Sequence, residues 1–491
     1  MPEESFAEHF GDTQSLCPVC LKRLPARRVP EGDTVRLTRT CPEHGEFREP
    51  VWIGEPAMKS WRRPKKPSPP NPGGVTGKGC PYDCGLCPQH AQHTCTALVE
   101  ITARCDLGCP VCFASSGESA TAGSPVLGRD ERSVEELGRM FQELRARAGS
   151  CNLQLSGGEP TVRADLEQIV RVAVQAEFAF VQLNTNGLRL GREDGFAKRL
   201  AGAGLSSVFL QFDGSDAACQ ALRGRPLLAE KLAAVKACEK AGLGVVLVPT
   251  LARGANDAEC GDILRLALSL GPTVRGVHFQ PMAAFGRRPG QESDQGSERG
   301  LHGPTLPEVL TSLVSQSGGL LKIQDFHPPG CEHSLCSFSG TFLRQGDAGL
   351  SPVSGGGCCD PAPKPGAAGR DIPAGRIPAS RDIPTALEGA LKSRAFTARQ
   401  WSAPANNPAP GALADDFDRF LAQSGTRNRF SISCMAFQDA WTIDLERAQG
   451  CCIHVLAPDG ALVPFCLYNL TSATGRALHR GNHGGVAQCP A

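Results

Sequence analysis

The sequence has no excess of charge of either sign: 51 basic residues stand against 50 acidic ones, for a formal net charge of +1. Such a balance offers a polyanion no electrostatic footprint, so no nucleic-acid partner is expected. Long apolar runs are also missing, and none approaches the ~18 to 20 residues that span a bilayer. The opening MPEESFAEHF is acidic and lacks the apolar stretch of a secretory leader. The expected location is cytoplasmic, which still allows a substrate drawn from a membrane. The basic RRPKK at 62–66 would permit peripheral contact with anionic headgroups, but its Pro- and Gly-rich surroundings read more simply as a solvated linker.

Cysteine is abundant, at 23 residues in 491. In a long chain of a reducing compartment this density points to metal ligation over disulfides. Cys105, Cys109 and Cys112 form a C-x3-C-x2-C loop followed at once by Phe113. A four-iron cluster held by only three thiolates keeps one iron open to an external ligand, which four-thiolate electron carriers do not. A zinc ribbon at this loop would need a fourth ligand close by, and no cysteine follows at ribbon spacing. Cys80, Cys84 and Cys87 repeat the spacing but add Cys95 and lack a preceding strand, so they read as a fully ligated auxiliary cluster.

Cys17 and Cys20 in CPVC, with Cys41 in TCPEHGEF, make a tetrahedral thiolate site for zinc or a single rubredoxin-like iron, its fourth ligand being His44 or a more distant cysteine. Far along the chain, Cys331, Cys336, Cys434 and Cys466 suggest a second auxiliary site. The adjacent Cys451 and Cys452 point opposite ways in an extended chain, so only one of them, taken as Cys452, is expected to join it. Cys358 and Cys359 lie in low-complexity sequence and are not read as ligands.

The expected organisation is a cysteine module over 1–60, a linker with its cluster loop over 61–97 and a strand–helix repeat over 98–290. A connecting segment over 291–350, a disordered low-complexity linker over 351–412 and a cysteine-rich C-terminal domain over 413–491 follow. The repeat predicts an α/β fold with six parallel strands, too few for a closed eight-fold barrel. Ser133 and Glu136 form a capping box that opens its first helix. Active residues of such a barrel lie at the carboxyl ends of the strands. SGGEPTVR falls there, with Gly157 and Gly158 removing side chains so that backbone can approach a ligand and Glu159 placing a carboxylate beside it. NTNG (Asn184, Asn186), QFDG (Gln211, Asp213) and HFQP (His278, Gln280) put polar groups at the same rim, where ribose hydroxyls or substrate would be held.

The three-cysteine loop with its aromatic, followed by Gly-Gly-Glu, resembles the radical S-adenosylmethionine superfamily. CPVC, TCPEHGEF, CPYDCGLCPQHAQHTC, CDLGCPVCFA, LSGGEPTVR, DAWTIDLERAQGCCIH and PFCLYN narrow the likeness to the archaeal tetraether lipid synthases and their bacterial relatives, which are also described as pterin methyltransferases. The resemblance implies a partial (βα)6 barrel whose [4Fe–4S] cluster, on Cys105, Cys109 and Cys112, passes an electron to S-adenosylmethionine, giving methionine and a 5'-deoxyadenosyl radical that abstracts hydrogen from a C–H bond. It implies cofactor contacts from Phe113, Gly157, Gly158 and Glu159, one or two auxiliary [4Fe–4S] clusters, a mononuclear iron or zinc, and an electron donor such as ferredoxin or flavodoxin. The expected reaction is carbon–carbon coupling of lipid alkyl chains. Alkylation of a pterin-like small molecule is the alternative, and a non-catalytic iron–sulfur electron carrier would leave Gly-Gly-Glu unexplained.

Overall fold

The computed structural model describes residues 11–63, 65–68, 77–85, 87–116, 131–289, 302–346, 349–353, 385–402 and 428–480. β1 (Asp12–Leu16), β2 (Arg23–Glu31), β3 (Thr34–Cys41) and β4 (Gly45–Ile53) form an antiparallel sheet in that order. Burial alternates residue by residue along β2 and β3, as expected of strands with one covered face. This hairpin brings the turn carrying Cys17 and Cys20 beside the turn that follows Cys41.

The second sheet holds the barrel. β5 (Thr96–Thr102), β6 (Asn152–Gly157), β7 (Val181–Thr185), β8 (Ser207–Gln211) and β9 (Gly244–Val248) lie parallel in that order, and past the short β10 (Thr250–Leu251) comes β11 (Val274–Pro281), beside β9. These are the six strands expected. β9 is buried along its whole length, because helices cover the sheet outside and side chains fill it inside. Ser133 and Glu136 close their capping box at the start of the helix Val134–Ala148.

The expected domain boundaries need correction after 290. β12 (Ser337–Gln345), β13 (Gly349–Pro352), β14 (Arg429–Met435), β15 (Ile453–Leu456) and β16 (Leu462–Pro464) all join the barrel sheet, which has 12 strands. β14 runs parallel to β11 at one edge, and β15 runs parallel to β5 at the other. Gly276 permits the first contact, since a Cβ there would overlap the Ser431 carbonyl. The β15–β16 hairpin turns at Asp459–Gly460, as the sequence suggests, with Gly460 at φ 82°. C-terminal segments therefore extend the barrel instead of forming a unit behind it.

Two expected linkers are also packed. Arg62 pairs with Glu446 at 2.9 Å, the Arg63 N–H donates to Ser334 Oγ, and Lys65 Nζ donates to the Glu332 carbonyl. The basic segment is thus tied to the C-terminal part of the chain and not simply solvated. Residues 385–402, inside the expected low-complexity linker, contain the helix Ala386–Trp401, opened by a Thr385–Glu388 capping box. Residues 351–353 of that segment are also described, and the rest of it, with Cys358 and Cys359, lies outside the described residues.

The N-terminal sheet docks through Arg28, whose side chain is wholly buried and donates to Asp444 (2.7 Å) and Glu446 (2.5 Å). Removing one partner of a buried pair leaves the other charge unpaired. Arg28→Met is expected to destabilise the protein by about 3 kcal/mol, measured by guanidinium unfolding against the parent.

Candidate functional site

Cys105, Cys109 and Cys112 follow β5 and line the mouth of a cavity of about 330 Å³ inside the barrel. Arg287 fixes their loop: its backbone exchanges two hydrogen bonds with Cys112, both 2.9 Å, and its guanidinium donates to the Cys109 and Ser116 carbonyls. Arg223 donates to the Val111 carbonyl at 3.1 Å. Burial pushes the Cys105 thiol up to about 12 and raises Cys109, a rise that Arg223 opposes. The three sulfurs do not converge within 4.8 Å, unlike those of the N-terminal module. Three free thiols lining one cavity are a donor set that fits a cluster with one iron left open.

Gly157 and Gly158 lie against the segment leading into this loop. A Cβ on Gly157 would overlap the Thr102 carbonyl, and one on Gly158 the Arg104 carbonyl. The close approach expected toward a ligand is thus first an approach to the cysteine loop's own backbone. Glu159 is buried, and its carboxylate accepts from Thr161 N–H (3.0 Å) and Oγ1 (2.6 Å), Thr185 Oγ1 (2.7 Å) and Asn186 N–H (2.7 Å). Burial raises its pKa while these donors act against the rise.

The predicted rim residues divide. Asn184, Gln211, His278 and Gln280 line the cavity, as does Phe113 at its mouth. Asn186 lines it too, but its Nδ2 donates to Asp106 at 2.7 Å and its Oδ1 accepts from the Leu188 N–H, tying the rim to the cysteine loop. Asp213 requires correction as a cofactor ligand: it is fully buried, and Arg223 donates to both its oxygens at 2.7 Å. It holds the arginine that steadies the loop.

Several contributors escaped the sequence reading. Arg223 ends a short helix and carries no sequence signal. Lys231 does carry one, because it sits on the apolar stripe of its helix with Ala234, Val235 and Cys238. It donates to the Asn186 carbonyl (2.5 Å) and to Gln211 Oε1 (3.2 Å), and burial lowers its pKa to about 8.

The other cysteines sort differently from expectation. Cys17, Cys20, Cys41 and His44 converge within 4.8 Å, with His44 Nδ1 3.4 Å from Cys41 and 3.7 Å from Cys17, which selects His44 over a distant cysteine. A tetrahedral zinc–thiolate site places neighbouring sulfurs ~3.8 Å apart, and Cys20 lies 3.9 Å from Cys41. Cys95 leaves the Cys80 loop. Its N–H donates to the Cys452 carbonyl where β15 meets β5, and its sulfur packs with those of Cys452 (2.7 Å) and Cys331, all three buried beside Glu332. Cys80, Cys84 and Cys87 line a separate small hollow with His90.

Cys336, Cys451 and Cys466 are mutual electrostatic neighbours, and Cys336 receives the Arg447 guanidinium. Both Cys451 and Cys452 therefore face a cysteine group, where only one was expected to. Cys434 is corrected as a ligand: the β14–β11 register sets it opposite Phe279 in the core, where Cys260 is the thiol acting on its pKa.

A family model described as the radical SAM superfamily matches residues 99–267, and one described as the HMPTM N-terminal zinc ribbon domain matches 9–53. The 7,8-dihydro-6-hydroxymethylpterin dimethyltransferase of Methanocaldococcus jannaschii is 34% identical over 487 residues, covering 93% of each chain. The GTP 3',8-cyclase of Mycolicibacterium smegmatis is 31% identical over 217 residues, 43% of this chain and 57% of that one. A solved radical S-adenosylmethionine methyltransferase, TsrM from Kitasatospora setae, overlays with a TM-score of 0.34 at 13% identity, covering 59% of this chain and 62% of its own.

Replacing Cys105, Cys109 and Cys112 together by Ala is expected to remove about four irons per chain and spare the N-terminal ion, whereas Cys41→Ser is expected to release that ion alone. Gly158→Ala, by displacing the loop, is expected to follow the triple variant. Metal and sulfide analysis of the anaerobically reconstituted proteins reads all three.

Proposed function

Because this chain belongs to the radical S-adenosylmethionine superfamily, in one full-length family with the pterin dimethyltransferase of Methanocaldococcus jannaschii, we propose that it alkylates a reduced pterin or a close heterocyclic analogue, a methyl group being the unit transferred from a second molecule of S-adenosylmethionine, which leaves as S-adenosylhomocysteine. The observation that carries this is identity of 34% across 93% of both chains. The coupling of lipid alkyl chains, which the sequence suggested first, gives way to its alternative. Among the described residues no helix is long and apolar enough to cross a membrane, and peripheral membrane contact has no support of its own.

The [4Fe–4S] cluster, when bound, supplies one electron to S-adenosylmethionine, and radical chemistry follows from its cleavage. Cys105, Cys109 and Cys112 would hold that cluster, with three unpaired thiols facing one cavity mouth. The Gly157–Gly158 backbone and the Asn184 and Gln211 side chains would hold the cofactor's polar ends. The barrel wall excludes water from the reacting carbon. A ferredoxin or flavodoxin is the proposed reductant.

Anaerobic, reconstituted protein with S-adenosylmethionine, dithionite and 6-hydroxymethyl-7,8-dihydropterin is expected to form 5'-deoxyadenosine and a pterin heavier by one or two methyl groups, detected by mass spectrometry. Formation of 5'-deoxyadenosine with no modified pterin would overturn the substrate assignment and leave the superfamily chemistry standing.

A further inference from the structure

The cavity has a second end. Below the rim it reaches Phe209, His278 and Trp401. Phe209 and His278 each precede a rim glutamine, Gln211 and Gln280, by two residues on the same strand, so they share its face one layer deeper. The Phe209 centroid lies 5.3 Å from His278 and 5.2 Å from Trp401, and His278 lies 6.2 Å from Trp401. Three rings thus form a continuous aromatic surface.

Trp401 does not come from the barrel. It ends the helix Ala386–Trp401, which is seated under the sheet: Gly244 leaves room for the Trp401 carbonyl, and Arg275 Nε donates to the Gln400 carbonyl at 3.1 Å. The indole N–H donates to Ser431 Oγ at 3.1 Å, which fixes the ring. This helix floors the barrel.

His278 adds a polar atom to the floor. The residue is 7% exposed, its Nδ1 is bonded to Ser433 Oγ at 2.8 Å, and its Nε2 has no partner among the described residues. An alkyl chain in this position would leave that nitrogen buried and unpaired, a penalised arrangement. A flat heterocycle would satisfy it while stacking on the rings.

We propose that this floor is the substrate subsite, binding a planar nitrogen heterocycle against Phe209 and Trp401 with its edge hydrogen-bonded to His278 Nε2, and that Trp401 sets the depth at which the substrate stops. The proposal rests on the pterin reading above. It assigns substrate specificity to a helix of the segment after the barrel, and it removes His278 from the cofactor contacts.

Equilibrium dialysis of 6-hydroxymethyl-7,8-dihydropterin against the full-length, cluster-loaded protein with S-adenosylmethionine and no reductant tests it. Trp401→Ala and His278→Leu are each expected to weaken pterin binding about tenfold, and Trp401→Phe about threefold, since it keeps a ring at the floor. Iron content and S-adenosylmethionine binding should stay at parental levels in all three. Parental pterin affinity in Trp401→Ala and His278→Leu would overturn the subsite while leaving the pterin reading intact. Loss of pterin and S-adenosylmethionine binding together, in Trp401→Phe as well as Trp401→Ala, would overturn it in favour of a structural role for the helix. Failure of the parent protein itself to bind the pterin would overturn the substrate reading and the subsite with it.

Discussion

Two backbone hydrogen bonds hold the chemistry of this protein in place: Gly158 N–H to the Thr102 carbonyl at 2.9 Å, and Glu159 N–H to the Arg104 carbonyl at 2.8 Å. They join the end of β6 to the residues that lead into the cysteine loop. Neither glycine can carry a side chain without striking the partner carbonyl, so the bonds require Gly-Gly and nothing larger. Glu159 continues the chain of constraint by accepting from Thr161, Thr185 and Asn186, and Asn186 returns it to the loop through Asp106. The loop and the first two rim turns are therefore one hydrogen-bonded ring. Such a ring sets the cysteine positions before any cluster arrives, which is what a site that must hold reactive chemistry requires.

The barrel strands were readable because each is a short apolar run ending in a polar turn, and a fully buried parallel strand leaves that mark. The place of the edge strands in the sheet was not. β14 alternates locally, with Phe430, Ile432 and Cys434 against Ser431 and Ser433, and β15 is announced by its Asp459–Gly460 turn, but their parallel pairing to β11 and β5 joins residues far apart in the chain. Only tertiary fit decides such a register: Gly276 admits β14, and nothing local in either segment announces it. The helix Ala386–Trp401 fails for another reason. Its capping box at Thr385 and Glu388 is legible locally, but the Gly- and Pro-rich repeat before it makes the whole stretch read as linker. Lys231 was legible in principle, as a cation on an apolar helix face.

The cysteines show where sequence spacing misleads. Nearness along the chain assigned Cys95 to the Cys80 loop and Cys331 to Cys336. In space, β15 beside β5 carries Cys452 to Cys95, and Cys331 joins them, while Cys336 faces Cys451 and Cys466. The opposite orientation of adjacent residues in extended chain, which suggested that one of Cys451 and Cys452 is idle, lets each serve a different group. Spacing placed ligand atoms together where a tight turn does so, as in CPVC beside Cys41 and His44.

The groups around the cysteine loop and those of the aromatic floor differ in charge. At the mouth, the buried Arg223–Asp213 pair and Lys231 surround a loop of three thiols, and Arg223 draws the Cys109 thiol down against the effect of burial. A buried ion pair of this kind adds little stability by itself, so its cost is better understood as fixing a cation beside groups that must become thiolates. At the floor the charge is gone. Burial holds His278 down to about 4, so near pH 7 it is a neutral imidazole between two aromatic rings. A charged ligand gains from the fixed dipoles and cations at the mouth and would lose its solvation at the floor without compensation. A neutral flat ring gains at the floor and has little to gain at the mouth. Under the proposed subsite, the cavity would offer its polar groups near the cysteine loop to a zwitterionic cofactor and its aromatic floor to an uncharged ring.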